Sequence, residues 1–334
     1  MHCPQQNAMD NESGPNALGA SKVLSRQTSW THQGWTWRGI WAEWGGDTES
    51  NDDKAWDHVV VAFHGFGRPV EEMLSYTPLF PGKTAMLSIA LCHHHGSSTP
   101  PNQPETLALD PSVFQAAIEM WILHWTGESA RVKSRVLLGY SLGGRMAMTL
   151  FEQHPRAWDR IVLLAPDGFK KNPVYRLAVE TPGGRAVWRW CDKHIDIVRS
   201  TVRALRWCRI IPAHLEHFAL YHTEHPSMRQ LVARTWQTHQ KFWPTLQGMK
   251  SAWMQTPQGD DSQACTNTKP PMFAAFFGER DRIIRWSWCK RWRQAAPPWV
   301  QFVTVPSGHV MRHQETVECL RSAILQELTP PTDP

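Results

Sequence analysis

The chain has 334 residues, of which 41% are hydrophobic and 19% charged, and a formal net charge of +5. That balance excludes a disordered chain, leaves room for one large α/β domain or two smaller ones, and gives no ground for nucleic-acid binding. The 7 cysteines are scattered without a Cys-x-x-Cys pair, which excludes a zinc ribbon or a disulfide scaffold and points to a reducing, cytoplasmic setting.

In chain order, residues 1–29 are polar and rich in Asn, Ser, Gln and Gly, and read as a disordered leader without the apolar run of a secretory signal. From Trp35 to Trp44 aromatic and smaller residues alternate with the period of a strand. Gly45-Gly46 and the acidic run through Asp53 form a turn. Val59 to Phe63 is a short unbroken apolar run, as expected of a parallel strand covered on both faces, and it ends in His64-Gly65-Phe66-Gly67. Met86 to Leu91 is a second such run, with a helix-compatible segment, Val70 to Tyr76, before it. Residues 96–111 are a proline-rich loop, and Ser112 to Trp125 carries apolar residues at helical spacing. Val136-Leu137-Leu138 is a third strand. It runs into Gly139-Tyr140-Ser141-Leu142-Gly143-Gly144 and a helix from Arg145 to His154. Ile161 to Ala165 is the fourth.

The alternation then stops. Residues 168–270 contain helical patterns and no convincing strand, and hold 15 Lys and Arg against 7 Asp and Glu, a net of +8 on an otherwise slightly acidic chain. Residues 256–271 read as a linker. Strands resume at Met272 to Phe277 and Val300 to Val305 with a helix between them, and a closing helix covers about Glu315 to Glu327. Strands alternating with helices imply an α/β fold with a doubly wound, mostly parallel sheet. The expected organisation is a core of 30–167 and 271–330, interrupted by a helical insertion over 168–270. No stretch approaches a membrane-spanning length. The Arg- and Trp-rich part of the insertion, Arg185 to Arg209, reads as helices with Trp turned inward; its alternative is weak attachment to a membrane surface.

A serine hydroxyl needs a neighbouring base and a place clear of the backbone to act as a nucleophile. Gly-x-Ser-x-Gly between a buried strand and a helix supplies that place, so Ser141 is the candidate nucleophile. Asp281 follows the strand ending at Phe277, and His309 follows the strand ending at Val305 and a Pro-Ser-Gly turn. Both therefore stand at strand carboxyl ends, where open α/β sheets carry their sites. Asp167 also follows a strand and competes with Asp281. His93-His94-His95 are consecutive and point in different directions, so no metal site is expected, and no cofactor.

The run of His64-Gly65-Phe66-Gly67, Gly139-Tyr140-Ser141-Leu142-Gly143-Gly144, Gly278-Glu279-Arg280-Asp281 and Gly308-His309 resembles the α/β-hydrolase superfamily over about residues 35–328. The resemblance implies a serine hydrolase with Ser141 as nucleophile, His309 as base, Asp281 as the acid that orients it, and Asp167 as the alternative acid used by some members. It implies an oxyanion hole from the backbone N–H groups of Phe66 and Leu142, and a lid made by the insertion. A small acyl substrate (ester or thioester) follows, with carbon–carbon bond hydrolysis, a lyase-like synthase reaction or a non-catalytic binding protein as alternatives.

Overall fold

The structure, a computed structural model, describes residues 23–45, 55–104, 106–171, 175–210, 216, 220, 223–255 and 272–326. Its unbroken apolar runs become the middle of one sheet. In chain order the strands are β1 (Leu24–His32), β2 (Trp35–Trp44), β3 (Ala55–Trp56), β4 (His58–Phe63), β5 (Thr84–Ile89), β6 (Arg131–Val132), β7 (Arg135–Tyr140), β8 (Arg160–Leu164), β9 (Met272–Gly278) and β10 (Val300–Val305). Eight of them form a sheet ordered β1-β2-β5-β4-β7-β8-β9-β10, and β3 and β6 pair separately. The pairings β1–β2 and β2–β5 are antiparallel, and all pairings from β5 to β10 are parallel. Every residue of β4 and β5 is buried, as strands covered on both faces require.

Among the described residues the α-helices are α1 (Pro111–Thr126), α2 (Leu142–Gln153), α3 (Pro182–Lys193), α4 (Ile195–Trp207), α5 (Pro226–Thr238), α6 (Leu246–Met254), α7 (Lys290–Ala295) and α8 (Gln314–Gln326). The bounds of α1 follow from its ends. Asp110 accepts a hydrogen bond from the Ser112 N–H, Pro111 occupies the first turn, and Gly127 leaves the helix at φ 81°. Val70–Leu79 forms a 3₁₀ helix. No helix among the described residues is long and apolar enough to cross a membrane.

The leader expected over 1–29 gives way at Leu24 to β1, which pairs with β2 along its whole length; residues 1–22 lie outside the described residues. Polar composition hid this strand because it is an edge strand whose residues are mostly exposed. Its anchor is Thr28, whose hydroxyl oxygen accepts the indole N–H groups of Trp121 at 3.1 Å and Trp125 at 3.2 Å from α1. Beneath, Trp41 stacks on Trp125 and Trp37 packs on Phe114. Much of the tryptophan content is therefore core between α1 and the antiparallel edge of the sheet. The turn expected over 46–53 and the linker over 256–271 also lie outside the described residues, apart from β3 and β9 at their edges.

The chain divides into two compact units. One holds the sheet and comprises 1–100, 110–170 and 242–334; the other is helical and comprises 101–109 and 171–241. The helical unit is narrower than 168–270 because α6 belongs with the sheet. There Glu152, on α2, accepts hydrogen bonds from the backbone N–H and the hydroxyl of Thr245, the residue that caps α6.

Candidate active site

Ser141 alone turns the chain from β7 into α2. It does so at φ 51° and ψ −116°, a backbone region that costs a non-glycine residue on the order of 1–3 kcal/mol. The strained turn is held from three sides. The Ser141 N–H donates to Leu164 O, and Ser141 O accepts from the N–H groups of Gly144 and Asp167, each at 2.9 Å. Gly143 is required by proximity: a Cβ there would stand 2.0 Å from the carbonyl oxygen of Phe63, at the end of the adjacent strand.

The loops after β9 and β10 bring the other two candidates together. Glu279 and Arg280 N–H groups donate to the carbonyls of Val305 and Ser307, so the paired strands continue into paired loops. A Cβ on Gly278 would lie 2.2 Å from Gly308 O, so only glycine permits this approach. Asp281 is then buried, with a side chain 0% exposed. Its Oδ1 accepts from the N–H groups of Ile283 at 2.7 Å and Ile284 at 2.9 Å, and its Oδ2 lies 2.8 Å from Nδ1 of His309. A carboxylate so surrounded accepts only, so the proton of the imidazole sits on Nδ1. Nε2 is left as the acceptor that faces Ser141 Oγ at 3.0 Å. The hydroxyl of Tyr140 donates to the carbonyl oxygen of His309 at 3.2 Å, fastening the histidine loop to the strand that carries the serine. Burial pushes that phenol up to about 12, so it stays a donor at ordinary pH.

Asp167 is engaged elsewhere. Its Oδ1 accepts from the Gly168 N–H at 2.8 Å, and its Oδ2 lies 3.7 Å from Nη1 of Arg145. The Arg145 side chain is 1% exposed and its guanidinium lies over the ring of Trp243, 4.4 Å from the centroid. A buried cation needs a carboxylate beside it, which is what Asp167 supplies.

The loop from His64 to Gly67 is shaped by two histidines. Nε2 of His64 accepts the Leu91 N–H at 3.0 Å, which leaves the proton on Nδ1 to bond Gly65 O at 2.7 Å. The Arg68 N–H donates to the same carbonyl. A trans peptide points its N–H opposite to its C=O, so pinning Gly65 O aims the Phe66 N–H the other way. A Cβ on Gly65 would lie 3.3 Å from Cβ of Ser141, so this loop runs directly beside the serine. Nε2 of His94 accepts the Gly67 N–H at 3.2 Å. Burial holds the His64 imidazole well below its usual range, at about 3, and His94 at about 4, so both are neutral and can accept. Leu142 opens α2, and as the first N–H of a helix it has no intrahelical acceptor.

Of the residues expected from the sequence, Ser141, His309 and Asp281 are thus brought together and Asp167 is set apart. Phe66 and Leu142 stand at the loop and the helix start that adjoin Ser141. Of the three consecutive histidines, His94 is buried against His64, while Nε2 of His95 meets the carbonyl of Arg68. Sequence reasoning missed His64 and His94 as supports of the loop, Tyr140 as a tether and Arg145 as the partner of Asp167. A signal existed for His64, a histidine that directly follows a buried strand; Arg145 looks like any surface position of a helix.

No protein-family model matches the chain and no curated protein matches its sequence. Solved structures do. An α/β-hydrolase enzyme from a Medee basin deep-sea metagenome library is 14% identical with a TM-score of 0.54, the match covering 92% of this chain and 99% of that one. The thioesterase domain from the curacin biosynthetic pathway is 12% identical at a TM-score of 0.53, over 90% of this chain and 99% of its own. A meta-cleavage product hydrolase from Pseudomonas fluorescens is 13% identical at 0.51, over 90% and 98%. At such identities the likeness shows the fold.

Proposed function

We propose that this chain, which has the α/β-hydrolase fold, is a serine hydrolase that cleaves an ester, thioester or related acyl bond through an acyl-enzyme on Ser141. The observation that carries this reading is the continuous relay from Asp281 through His309 to Ser141, with separations of 2.8 and 3.0 Å. Ser141 Oγ attacks the acyl carbon while its proton passes to Nε2 of His309. The imidazolium that forms is stabilised by Asp281, itself held by two backbone N–H groups. The N–H groups of Leu142 and Phe66 receive the negative oxygen of the tetrahedral intermediate; both are backbone donors fixed before substrate arrives, so little reorganisation is needed. His309 then returns its proton to the leaving group; the same nitrogen deprotonates a water that attacks the acyl carbon, and it passes that proton to Ser141 Oγ as the acyl group departs as the acid. In this scheme the inserted helical unit is the lid that discriminates among acyl groups.

The test is turnover of a panel of p-nitrophenyl esters and acyl thioesters by the full chain and by Ser141→Ala. The variant should keep its far-UV spectrum and lose on the order of 10⁴-fold or more in kcat. Retention of most of the activity would remove Ser141 from the chemistry.

A further inference from the structure

The helical unit carries apolar surface that the fold leaves in water. No residue of α3 or α4 is buried. Both helices still have apolar side chains on two sides. On α4, Ile195, Val198, Val202 and Leu205 recur at three- and four-residue steps and are half-buried, forming its packed side. Opposite them stand Ile197 at 53% exposure and Trp207 at 86%; α3 shows Val187 at 61% and Trp190 at 49%. Ile210, just past the end of α4, is 67% exposed. Single exposed apolar residues need no explanation, but several on two consecutive helices do.

Their charged neighbours identify the occupant. Across α3 and α4, Arg185, Arg189, Lys193, Arg199, Arg203 and Arg206 share the two helices with only two acids, and Arg206 pairs with Glu216 beyond them at 3.4 Å. Both acids are already paired, Asp192 with Arg229 at 2.6 Å and Asp196 with Arg199 at 3.3 Å. Arg189, Lys193, Arg203 and Arg209 are exposed among the apolar side chains. A second copy of the chain would bring this positive set against itself across a two-fold axis, which like charges disfavour. Exposed valine and isoleucine offer nothing to a nucleic-acid base. Indole, aliphatic and guanidinium groups side by side on short amphipathic helices suit an anionic lipid surface, where the apolar groups enter the headgroup boundary and the cations meet phosphate and carboxylate.

We propose that α3, α4 and the residues to Ile210 dock this protein on anionic lipid bilayers, with Trp190, Ile197, Trp207 and Ile210 inserting and Arg189, Arg203 and Arg209 contacting headgroups. This docking does not depend on Ser141 being a nucleophile, and its test measures binding alone. The full chain is sedimented with vesicles of phosphatidylcholine and with vesicles containing about one third phosphatidylserine. Binding should be at least about tenfold stronger to the anionic vesicles and should weaken as salt is raised. Arg189→Gln with Arg203→Gln should lower the anionic partition coefficient about 25-fold, at about fivefold for each cation near the surface. Trp190→Ser with Trp207→Ser should also abolish most binding. Both pairs change exposed side chains, so the thermal midpoint should stay put and report an intact fold. No binding by the parent chain, equal binding to both vesicles, or binding untouched by either pair would overturn the proposal. So would self-association that Trp207→Ser removes in a chain that does not sediment with lipid.

Discussion

The two units of this molecule use the same amino-acid types to different ends. In the sheet unit a tryptophan such as Trp41 is fully buried, stacks on Trp125 and meets Trp56 edge-on. In the helical unit Trp190 is half exposed and its nearest ring partner is the helix-ending His194. Arginine differs in the same way: Arg145 is enclosed and holds Asp167, whereas the arginines of α3 and α4 stand in solvent or pair on the surface. The difference teaches where geometry is enforced. Dense packing and close backbone approaches hold Ser141, Asp281 and His309 within hydrogen-bond reach. In α3 a close approach of that kind recurs only at its start, where a Cβ on Gly184 would meet the carbonyl oxygen of Leu177 at 1.8 Å, and no side chain of α3 or α4 is buried. The proposed chemistry sits on the sheet unit, and the proposed lipid-docking surface on the helical one.

The sharpest way to break that comparison is at the two aspartates. Asp281→Asn should cost up to about 10⁴ in kcat, because the amide cannot hold the imidazole in the tautomer that accepts the serine proton. Asp167→Asn should leave kcat nearly unchanged and instead lower stability, since it weakens the pairing of buried Arg145. Steady-state kinetics and denaturant titration of both variants separate the outcomes. A large kcat loss at Asp167 with little at Asp281 would reverse the assignment.

Next in size is the core. Trp41→Ala removes a fully buried ring and should cost about 3–5 kcal/mol in a denaturant titration. A loss below about 1 kcal/mol would mean that the tryptophan layer under α1 is not the packed core described above.

Acid should act on the loop beside Ser141. His94 is held at about 4 against an ordinary 6.5. As pH falls the unfolded chain therefore takes up the proton first. The stabilisation is complete above about pH 6.5 and fades as pH drops towards 4, by roughly 3 kcal/mol for this side chain. His64 acts in the same direction over a window reaching lower still. His94→Gln keeps an acceptor for the Gly67 N–H without a titrating ring, so the unfolding free energy should fall less steeply between these pH values. An unchanged slope would mean that His94 is not the group titrating there.

The smallest effect sharpens the comparison from the other side. Trp190→Ala should change stability by no more than about 1 kcal/mol, since half of its surface already lies in water and its ring contact is with His194 at the helix end.

Much of this was legible in the chain. Runs such as Val59 to Phe63 and Met272 to Phe277 announce buried parallel strands because only full coverage on both faces makes an unbroken apolar run tolerable. Ser141 and Asp281 could be named because each follows such a run with a turn, and His309 because a Pro-Ser-Gly turn leads to it from the strand Val300 to Val305. Strand β1 could not, since its polar side chains face water and its place depends on pairing with β2 and on two indoles from a helix, 93 and 97 residues away. Asp167 and Asp281 stand in like positions in sequence, and only Arg145, packed from within α2, shows what Asp167 serves. The boundary of the helical unit was hidden for the same reason, because the Glu152–Thr245 contact that ties α6 to the sheet unit spans 93 residues.

Labelling with a fluorophosphonate tests the central claim most directly. The reagent phosphonylates a serine only when a base activates its oxygen. The full chain should gain one adduct, located on Ser141 by peptide mass spectrometry, with the rate strongly reduced in His309→Ala and the adduct absent in Ser141→Ala. Failure of the folded chain to label, or labelling that persists when Ser141 is replaced, would contradict the account.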